Sequence, residues 1–509
     1  TVLTDRHPGT VRAMDPIKRI VIAGGDIVAP MVAAAIANSL RGQDVRITLV
    51  AGLPETAGAH SSLPEAVAFH RYLNIDTGEL LRKTNATFKL GIDYTNWADT
   101  RHHFIQPYGR VGTSLRLVPF HHYFIKRRMA GDPAEYSSYS LAASAAGMGR
   151  FTLPVAESNS ILSTLACGLH VDAGQYASLF RDYAGLCDVE FVDGDVAEAI
   201  LKGTDGFIEA IMTTDGSLIE GNLFIDCSGD RALLIEGALG QHYSDWSEFL
   251  PCDSSLTVSV PDVPDMSPMT YVVGKSMGWS RRIPMRERSD YTFYYNSSFL
   301  ADDEAEASLR RDLGRATTGH ARVRRFTSGR RRQFWFRNCV AVGRSAGFIE
   351  PLEISNLHLA QNAVLRLMSL FPDRSCDPVL ACEYNRILGL EYSNILDFIS
   401  LFYASVNRSD TTFWNHCRSM AKPNSLLYRL NLFKSQGRLA WYEEEAFSKD
   451  HWVSALIGLE YFPGGYDPLA DVPREAVIDH WLQKIRGSIR DAVEQMPSHE
   501  QFILDNLLN

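Results

Sequence analysis

The sequence has 509 residues, with 50 Lys and Arg against 60 Asp and Glu, and its formal net charge is -10. This acidic balance argues against a dedicated nucleic-acid-binding protein, which usually carries a basic surface. Hydrophobic residues make up 45% of the chain, yet no apolar run approaches the roughly 20 residues that a membrane-spanning helix needs. The eight cysteines lack any paired spacing, which predicts reduced thiols, a cytoplasmic protein and no zinc site.

The N-terminal part of the chain predicts a nucleotide-binding unit. Residues 1–16 have no apolar core, so we expect a flexible leader there rather than a signal peptide. Residues 18–24 are predicted as a short strand ending at a glycine turn, residues 30–40 as a helix and residues 46–50 as a second strand. This order of elements is how dinucleotide-binding domains begin.

The middle and the end of the chain have different patterns. Residues 185–225 alternate short apolar runs with Asp-Gly turns, which predicts a meander of antiparallel strands. Residues 223–229 and 339–343 are each predicted as a buried strand that ends in a small-residue turn. After residue 376 the pattern becomes helical, with long amphipathic stretches.

Four segments in consistent order resemble one enzyme family. Residues 338–353 end in Gly-Phe-Ile-Glu-Pro-Leu-Glu, close to the family stretch Gly-Phe-x-Glu-Pro-Leu-Glu. Residues 223–235 contain Asp-Cys-Ser-Gly-Asp, residues 407–414 end in Asp-Thr-Thr-Phe-Trp, and residues 462–471 contain Tyr-Asp-Pro-Leu. On these segments the chain is identified as a member of the flavin-dependent halogenases, the group often called tryptophan halogenases.

The resemblance implies an α/β fold. It is an FAD-binding Rossmann-type module of the flavin monooxygenase kind, with mixed sheets, interleaved with a mainly helical substrate module. The expected FAD-type module is discontinuous and comprises residues 17–110, 165–260 and 325–375, and the expected substrate module comprises residues 111–164, 261–324 and 376–509.

The resemblance also implies the chemistry. In the family, a separate reductase supplies reduced FAD, and oxygen and halide ion then give hypohalous acid, which reaches a lysine beside an electron-rich aromatic ring. That lysine matches Lys89, in Ala-Thr-Phe-Lys, and the catalytic glutamate matches Glu353. The lysine can donate a hydrogen bond to hypohalous acid or be halogenated as a free amine, and a nearby carboxylate can orient the lysine and take the ring proton.

The FAD site carries over with departures. Asp26 stands where the family has the second glycine of the turn, Ala51 where it has an acidic residue for the ribose, and His60 in the loop near the flavin. These departures predict a weakened affinity for FAD, and they leave open a halogenase-fold protein that serves as a binding or scaffold partner. The residues expected to bind FAD are Gly24, Gly25, Ala29, Ser228, Gly229, Gly343 and Gly347.

The halide and substrate regions also depart from the family. Ser355 and Asn356 fall at the halide site. In the family's Trp-x-Trp-x-Ile-Pro segment, Arg281 replaces the second tryptophan, which leaves open a hydroxylating flavin monooxygenase. The residues expected at the substrate are Gln106, His121, Trp279 and Pro284.

The expected substrate is an indole-like or larger aromatic, small or peptide-borne, since the C-terminal lid of enzymes acting on free tryptophan is missing. Other expectations are a flavin reductase partner, a homodimer, and no partnership with nucleic acid or membrane. No metal site is predicted, because adjacent histidines such as His121 and His122 would point to opposite faces of a strand.

Overall fold

The fold is known from a computed structural model that describes residues 15–52, 58–157, 159–261, 266–314 and 320–508. Most of the predicted leader therefore lies outside the described residues. The strands are β1 (Arg19–Ala23), β2 (Arg46–Ala51), β3 (Ala59–Ser61), β4 (Thr87–Lys89), β5 (Gly91–Thr95), β6 (His103–Pro107), β7 (Gly168–Asp172), β8 (Glu190–Asp193), β9 (Val196–Leu201), β10 (Ile208–Thr213), β11 (Leu218–Glu220), β12 (Leu223–Asp226), β13 (Tyr243–Asp245), β14 (Ser254–Pro261), β15 (Met269–Lys275), β16 (Gly278–Pro284), β17 (Arg288–Tyr295), β18 (Arg322–Arg325), β19 (Gly329–Arg331), β20 (Trp335–Phe336), β21 (Cys339–Ala341) and β22 (Gly347–Phe348). The helices are α1 (Val28–Ser39), α2 (Glu65–Tyr72), α3 (Thr77–Thr84), α4 (Phe120–Met129), α5 (Leu141–Gly147), α6 (Ala173–Leu186), α7 (Asp302–Leu313), α8 (Asn356–Ser369), α9 (Pro378–Ala404), α10 (Thr412–Ser419), α11 (Asn424–Gln436), α12 (Lys449–Gly458), α13 (Glu475–Gln495) and α14 (His499–Leu508).

A six-stranded sheet contains the predicted nucleotide-binding unit, in the order β20-β21-β12-β1-β2-β8. Its strands from β21 to β8 run parallel, and β20 is antiparallel at the edge. β1 and β2 are buried almost throughout, and α1 packs from Val28 to Ala37 with no exposed residue. Near-continuous apolar strands are what a parallel sheet covered on both faces requires. The predicted strand, glycine turn, helix and second strand are confirmed.

The predicted meander is right for three strands only. β9, β10 and β11 form an antiparallel three-stranded sheet. β8 and β12, at the two ends of the predicted segment, instead pair in parallel with β2 and β1. The Asp-Gly turns fix where strands end, but they do not say which sheet a strand joins.

Two further sheets position the candidate site. A seven-stranded sheet has the order β18-β14-β17-β16-β15-β5-β6, and a small antiparallel sheet has the order β3-β7-β4. Register pairs His170 of β7 with Ser61 of β3 on one side and with Thr87 of β4 on the other. These three side chains therefore lie in one row across the small sheet.

The chain after residue 376 is helical, as predicted, and α9 is its longest helix with 27 residues. Asp377 caps α9 by accepting a hydrogen bond from the backbone N–H of Val379, and Pro378 occupies the first helical position. Among the described residues, no helix has both the length and the apolar character that crossing a membrane requires. All eight cysteines are free thiols. The division into two modules stays a prediction.

Candidate active site

Lys89 ends β4, as the sequence predicts for a strand, and only 2% of the residue is exposed. Its Nζ donates a hydrogen bond to the Oγ of Ser61 at 2.9 Å and lies 4.9 Å from the centre of the Tyr108 ring. Burial lowers the pKa of Lys89 to about 7, with the charge of Glu353 raising it and that of Arg281 lowering it further. The amine therefore titrates near neutral pH, whereas an exposed lysine stays protonated there.

Glu353 is the second predicted catalytic residue, and it is 3% exposed. One carboxylate oxygen accepts a hydrogen bond from the hydroxyl of Tyr94 at 2.6 Å, and the other lies 3.2 Å from Nε2 of His451. Among the described contacts no ion pair joins Glu353 to Lys89, although their charges interact. The carboxylate is thus fixed by Tyr94 and His451, while the lysine is fixed separately by Ser61.

The turn that carries Glu353 is anchored by a second buried carboxylate, Glu350. Glu350 accepts a hydrogen bond from the indole N–H of Trp279 at 2.8 Å and a short one from the hydroxyl of Tyr403 on α9. Burial raises the pKa of Glu350. Trp279 is fully buried and stacks on Tyr294 with ring centres 4.1 Å apart. In this structure Trp279 therefore fixes the turn that carries Glu353, the predicted catalytic carboxylate.

His451, at the start of α12, connects the carboxylate to an aromatic cluster. Its ring stacks on Phe447 at 5.1 Å and lies 5.3 Å from Phe398 of α9. Gln106, 0% exposed, donates its amide N–H to the backbone carbonyl of His451 at 2.8 Å. The amide oxygen of Gln106 has no hydrogen-bond partner among the described residues, so it is free to accept one from a ligand.

The other two predicted substrate residues lie apart from each other. The carbonyl of Pro284, at the end of β16, accepts a hydrogen bond from the hydroxyl of Thr87, two residues before the predicted catalytic lysine. His121 lies on α4, where its Nε2 is 2.9 Å from the carbonyl of Gly437. Within the described part of the chain, none of the contacts of His121 involves Lys89 or the residues that touch it.

The prediction that His121 and His122 lie on a strand is wrong, because both belong to α4. Their rings are 4.1 Å apart on that helix. The run from Phe120 to Ile125 is rich in aromatic residues that favour strands, but tertiary packing of this segment overrides that local preference.

The predicted halide residues begin α8. The Oγ of Ser355 accepts a hydrogen bond from the N–H of Leu357 as the helix cap, and the side-chain amide of Asn356 bonds both the N–H and the carbonyl of Ile349. The side chain of Asn356 is therefore engaged with its own chain. Close by in sequence, the carbonyl of Pro351 accepts a hydrogen bond from Arg281 at 3.0 Å, while the buried Nε of Arg281 has no partner among the described residues.

The predicted cofactor residues gather at one edge of the six-stranded sheet, where β1, β12 and β21 end side by side. A side chain at Gly24 would lie 2.1 Å from the carbonyl oxygen of Cys227, so only glycine allows this approach of the two strand ends. Gly343 has a φ of 76° and packs against Val28 at the start of α1. The carboxyl ends of parallel strands beside a helix N-terminus are where dinucleotides bind.

The turn after β12 is organised by the buried carboxylate of Asp226. It accepts hydrogen bonds from the backbone N–H groups of Ser228, Leu234 and Ile235, and from the Ser228 hydroxyl at 2.6 Å. Gly229 follows with a φ of 69°, which favours glycine. This turn holds the backbone of Ser228 and Gly229 in a fixed shape at the edge of the sheet.

The remaining predicted cofactor residues lie at the same edge or behind it. Gly25 is partly buried in the turn and Ala29 is fully buried in the first turn of α1. A side chain at Gly347 would lie 2.7 Å from the carbonyl oxygen of Gly329, so this glycine serves the packing of β22 on β19. Ala51 ends β2.

Asp26 occupies the helix end that a diphosphate would use. Its Oδ1 accepts a hydrogen bond from the N–H of Val28 at 2.9 Å. Burial raises the pKa of Asp26, and backbone N–H groups and the nearby charge of Arg344 lower it. Arg344 in turn forms an ion pair with Asp230 at 2.7 Å. The glycine turn and the strand ends fit a dinucleotide, but the N–H donors of the first turn are already engaged by a carboxylate.

Sequence reasoning missed the residues that hold the catalytic pair in place. His451 and Tyr94 hold Glu353, yet no local pattern marks either of them, because each is far from Glu353 along the chain. Ser61 carried a partial signal, since it follows His60 in the loop that the resemblance places near the flavin. His60 itself is partly buried, and burial and the charge of Arg281 lower its pKa to about 4.

The tryptophan halogenase family model matches residues 19–475. The flavin-dependent halogenase BrvH from Brevundimonas sp. BAL3 is 36% identical, with a TM-score of 0.92 over 96% of this chain and 99% of that one. Tryptophan 6-halogenase ThaL of Streptomyces albogriseolus is 30% identical over 82% of each chain. Tryptophan 7-halogenase RebH of Lentzea aerocolonigenes is 27% identical over 96% of this chain and 98% of its own length.

Proposed function

The chain belongs to the tryptophan halogenase family of flavin-dependent halogenases, and from this premise we propose that Lys89 and Glu353 carry out the halogenation of an indole-like aromatic ring. The observation that supports this assignment is the buried pair itself. A lysine 2% exposed and a glutamate 3% exposed lie within electrostatic reach of each other, each held by its own hydrogen bonds. Burying two such charges is costly, so a purely structural role would favour apolar residues here.

Reduced FAD, when bound, supplies hypohalous acid from oxygen and halide ion. The side chain of Lys89 receives that acid, either by donating a hydrogen bond to its oxygen or by taking the halogen on its free amine. The ring carbon then forms its bond to halogen as the bond between halogen and the acid's oxygen, or the amine nitrogen, breaks and leaves its electron pair on that atom. The oxygen of the acid leaves as water, with a proton from the Lys89 ammonium in the first case and when the amine takes the halogen in the second. The ring carbon loses its own proton to the carboxylate of Glu353. Tyr94 and His451 keep that carboxylate in place and stabilise its negative charge by hydrogen bonding.

FAD would be held by the edge formed by Gly24, Gly229 and Gly343, with the N-terminus of α1 facing the diphosphate. Asp26 competes for that position, because its carboxylate already accepts the N–H of Val28. Binding of a diphosphate therefore requires the Asp26 side chain to leave, or to stay at a cost of about 1 kcal/mol or more for each close charge pair. We expect FAD to bind reversibly and more weakly than it would with glycine at this position.

Halide would be held near the turn that carries Glu353. The backbone of Ser355 and Asn356 is the predicted site, and the Asn356 side chain is engaged with Ile349. Arg281 adds a cation to the same turn through its bond to the carbonyl of Pro351. A guanidinium with a buried N–H that has no described partner is suited to an anion.

The proposed substrate is an indole-like or larger aromatic, either small or peptide-borne. The curated relatives are named for tryptophan, whose side chain is indole, and the free amide oxygen of Gln106 offers an acceptor for a ring N–H. The scaffold and hydroxylase alternatives are not favoured by these relatives. A separate flavin reductase, a homodimer and a cytoplasmic location remain parts of the proposal.

The test is a reconstituted reaction. Purified protein, a flavin reductase, reduced nicotinamide, FAD, bromide and indole are incubated in air, and products are identified by mass spectrometry. Brominated indole is expected from the wild type and not from Glu353→Gln. Glu443→Gln serves as the control, since it removes a carboxylate from an exposed ion pair with Arg386 and should keep the activity. Bound reduced FAD without any brominated product would count against the proposal.

A further inference from the structure

Lys89 is the first member of a continuous series of hydrogen bonds that runs behind the site. Its Nζ donates to the Oγ of Ser61 at 2.9 Å, and that Oγ lies 3.3 Å from the Oγ1 of Thr270 on β15. The Oγ1 of Thr270 lies 2.8 Å from Nε2 of His170. Lys89, Thr270 and His170 are each at most 2% exposed and Ser61 is partly buried, so three of the four side chains are shielded from water.

The series continues beyond the histidine to a fixed acceptor. Nδ1 of His170 lies 3.2 Å from the Oγ1 of Thr87, and Thr87 donates its hydroxyl proton to the carbonyl of Pro284 at 3.1 Å. Because Thr87 has a single hydroxyl proton and gives it to Pro284, it must accept at its Oγ1. Nδ1 of His170 is therefore the protonated nitrogen.

The protonated Nδ1 of His170 sets the donor and acceptor of each hydrogen bond from His170 back to Lys89. Burial and the charges of Lys89, His499 and Arg281 lower the pKa of His170 well below its usual range, so the ring is neutral and its Nε2 accepts. Thr270 donates to that nitrogen and so accepts from Ser61. Ser61, having donated to Thr270, presents only lone pairs to Lys89.

Other charged groups around the series do not reverse this direction. His499 accepts the backbone N–H of Phe88 at Nε2, and burial lowers its pKa to about 4, so it too is neutral. On the open side, Lys89 faces the carboxylate of Glu353 and the guanidinium of Arg281, which act on its charge in opposite directions. Among the described contacts, the acceptor at Ser61 is thus the directional restraint that the small sheet places on the lysine.

We propose that Ser61, Thr270 and His170 form a positioning relay that holds one N–H of Lys89 and aims the rest of its amine at the reacting halogen. This inference rests on the proposed function of Lys89. The three residues come from β3, β15 and β7, so the relay also ties the small sheet to the seven-stranded sheet behind the lysine. They act through Lys89 and do not themselves touch a substrate.

The first test compares halogenation by wild type, Ser61→Ala and Thr270→Val. Loss of the relay should lower kcat about 10- to 100-fold with little change in the KM for indole, because a misaimed lysine wastes bound substrate. Hypohalous acid that escapes is measured with a diketone scavenger, and its share of the total halogenated product should rise several-fold. Thr270→Ser keeps the hydroxyl and should restore the wild-type ratio.

The same variants should shift the pH profile. Without the acceptor at Ser61 the ammonium form of Lys89 loses a hydrogen bond, so the midpoint of kcat near pH 7 should move to lower pH. Ser62→Ala is the matched control, because its Oγ accepts the N–H of Leu169 on the same pair of strands and does not contact Lys89. If Ser62→Ala reproduced the effects of Ser61→Ala, the relay would be overturned in favour of a structural role.

A second measurement needs no activity and so separates the relay from the proposed function. Urea unfolding midpoints are compared for Thr270→Val and Ser62→Ala, each in the wild-type and Lys89→Met backgrounds. Thr270 does not contact Lys89, so a local effect predicts equal midpoint losses in both backgrounds. The relay predicts that the loss from Thr270→Val shrinks once Lys89 is gone, while that from Ser62→Ala does not. Equal losses in both backgrounds would refute it, whether or not the wild type halogenates.

Discussion

The two ends of the site differ in how their buried charges are satisfied. At the aromatic end, Lys89 is buried with its pKa lowered to about 7, and the amide oxygen of Gln106 has no described partner. At the nucleotide end, the carboxylate of Asp26 caps α1 and Asp230 pairs with Arg344. The aromatic end therefore keeps a polar atom without a described hydrogen-bond partner, whereas the carboxylates of Asp26 and Asp230 at the nucleotide end have partners within the chain. This difference supports the proposal that FAD binds reversibly at the nucleotide end.

Replacement of Lys89 tests the aromatic end most severely. Lys89→Met should lower halogenation by about a thousandfold or more, since no other buried amine is available to receive hypohalous acid among the described residues around Glu353. FAD binding should be unchanged, because Lys89 does not touch the nucleotide edge. Lys83→Met, on the exposed face of α3, is the control and should stay active. Retained activity in Lys89→Met would move the catalytic lysine elsewhere.

The same substitution should stabilise the fold, which sharpens the contrast. The folded-state pKa of Lys89, about 7, lies below the ordinary 10.5 of an unfolded chain. The unfolded chain therefore binds more protons between these values, so the cost of burying Lys89 is complete below pH 7 and fades as pH rises towards 10.5. Lys89→Met should raise the free energy of unfolding by on the order of a few kcal/mol at pH 6.

That gain should become small at pH 10, and urea unfolding at both pH values measures it. A gain independent of pH would mean that the lysine is not buried as a titrating amine. The result would then contradict the claim that Lys89 is buried at a cost to the stability of the fold.

Removal of the Asp26 carboxylate should improve a function rather than abolish one, and the change should be smaller than the loss of halogenation in Lys89→Met. Asp26→Gly frees the N–H groups of α1 and removes a charge beside the diphosphate, so FAD should bind about 10- to 100-fold more tightly. Asp26→Asn keeps a capping oxygen without the charge and should fall between the two. Quenching of intrinsic tryptophan fluorescence gives the affinities.

Asp44→Gly, at the opposite end of β2, is the control for this comparison and should leave FAD affinity unchanged. If Asp26→Gly bound FAD no better than the wild type, the diphosphate would not use the N-terminus of α1. The contrast between the two ends would then lose its physical basis.

The pH dependence of the reaction distinguishes the two roles left open for Lys89. A titration near pH 7 should appear in kcat, with up to about a tenfold change for each pH unit beyond the midpoint. If the ammonium donates a hydrogen bond, kcat falls as pH rises through 7, and if the free amine takes the halogen, kcat rises instead. Stopped assays with bromide from pH 6 to pH 9 decide between them. A flat profile would show that the proton on Lys89 does not matter.

The sequence predicted the parts of this molecule that are encoded locally. The strand, glycine turn and helix from Arg19 to Ser39 are specified by an apolar run and by Gly24, whose missing side chain allows the close approach to Cys227. Lys89 and Glu353 were predicted as catalytic because each lies in a short segment with family-like neighbours, and their roles stay a prediction. The helical region after residue 376 followed from its period.

The parts that could not be predicted depend on contacts between distant segments. His451 meets Glu353 across 98 positions of sequence, and Thr270 meets His170 across 100. Such pairs have no spacing rule, because the fold alone brings their elements together. The same cause explains why β8 was wrongly predicted to join the antiparallel meander, because the partners of a strand depend on the sheet it joins and not on its turns. The prediction of a buried strand at residues 223–229 is confirmed by β12.

The long helix α9 has a practical consequence. Tyr403 near its end donates a hydrogen bond to Glu350, and Phe398 lies against His451, so one helix contacts both the carboxylate that anchors the turn of Glu353 and the histidine beside Glu353. At 1.5 Å per residue, α9 is roughly 40 Å long. An engineer who wants to widen the range of accepted aromatics should leave the stretch from Ile395 to Tyr403 alone and vary the loops beyond it. The helix would then keep Glu350 and His451 in position while the surrounding loops are changed.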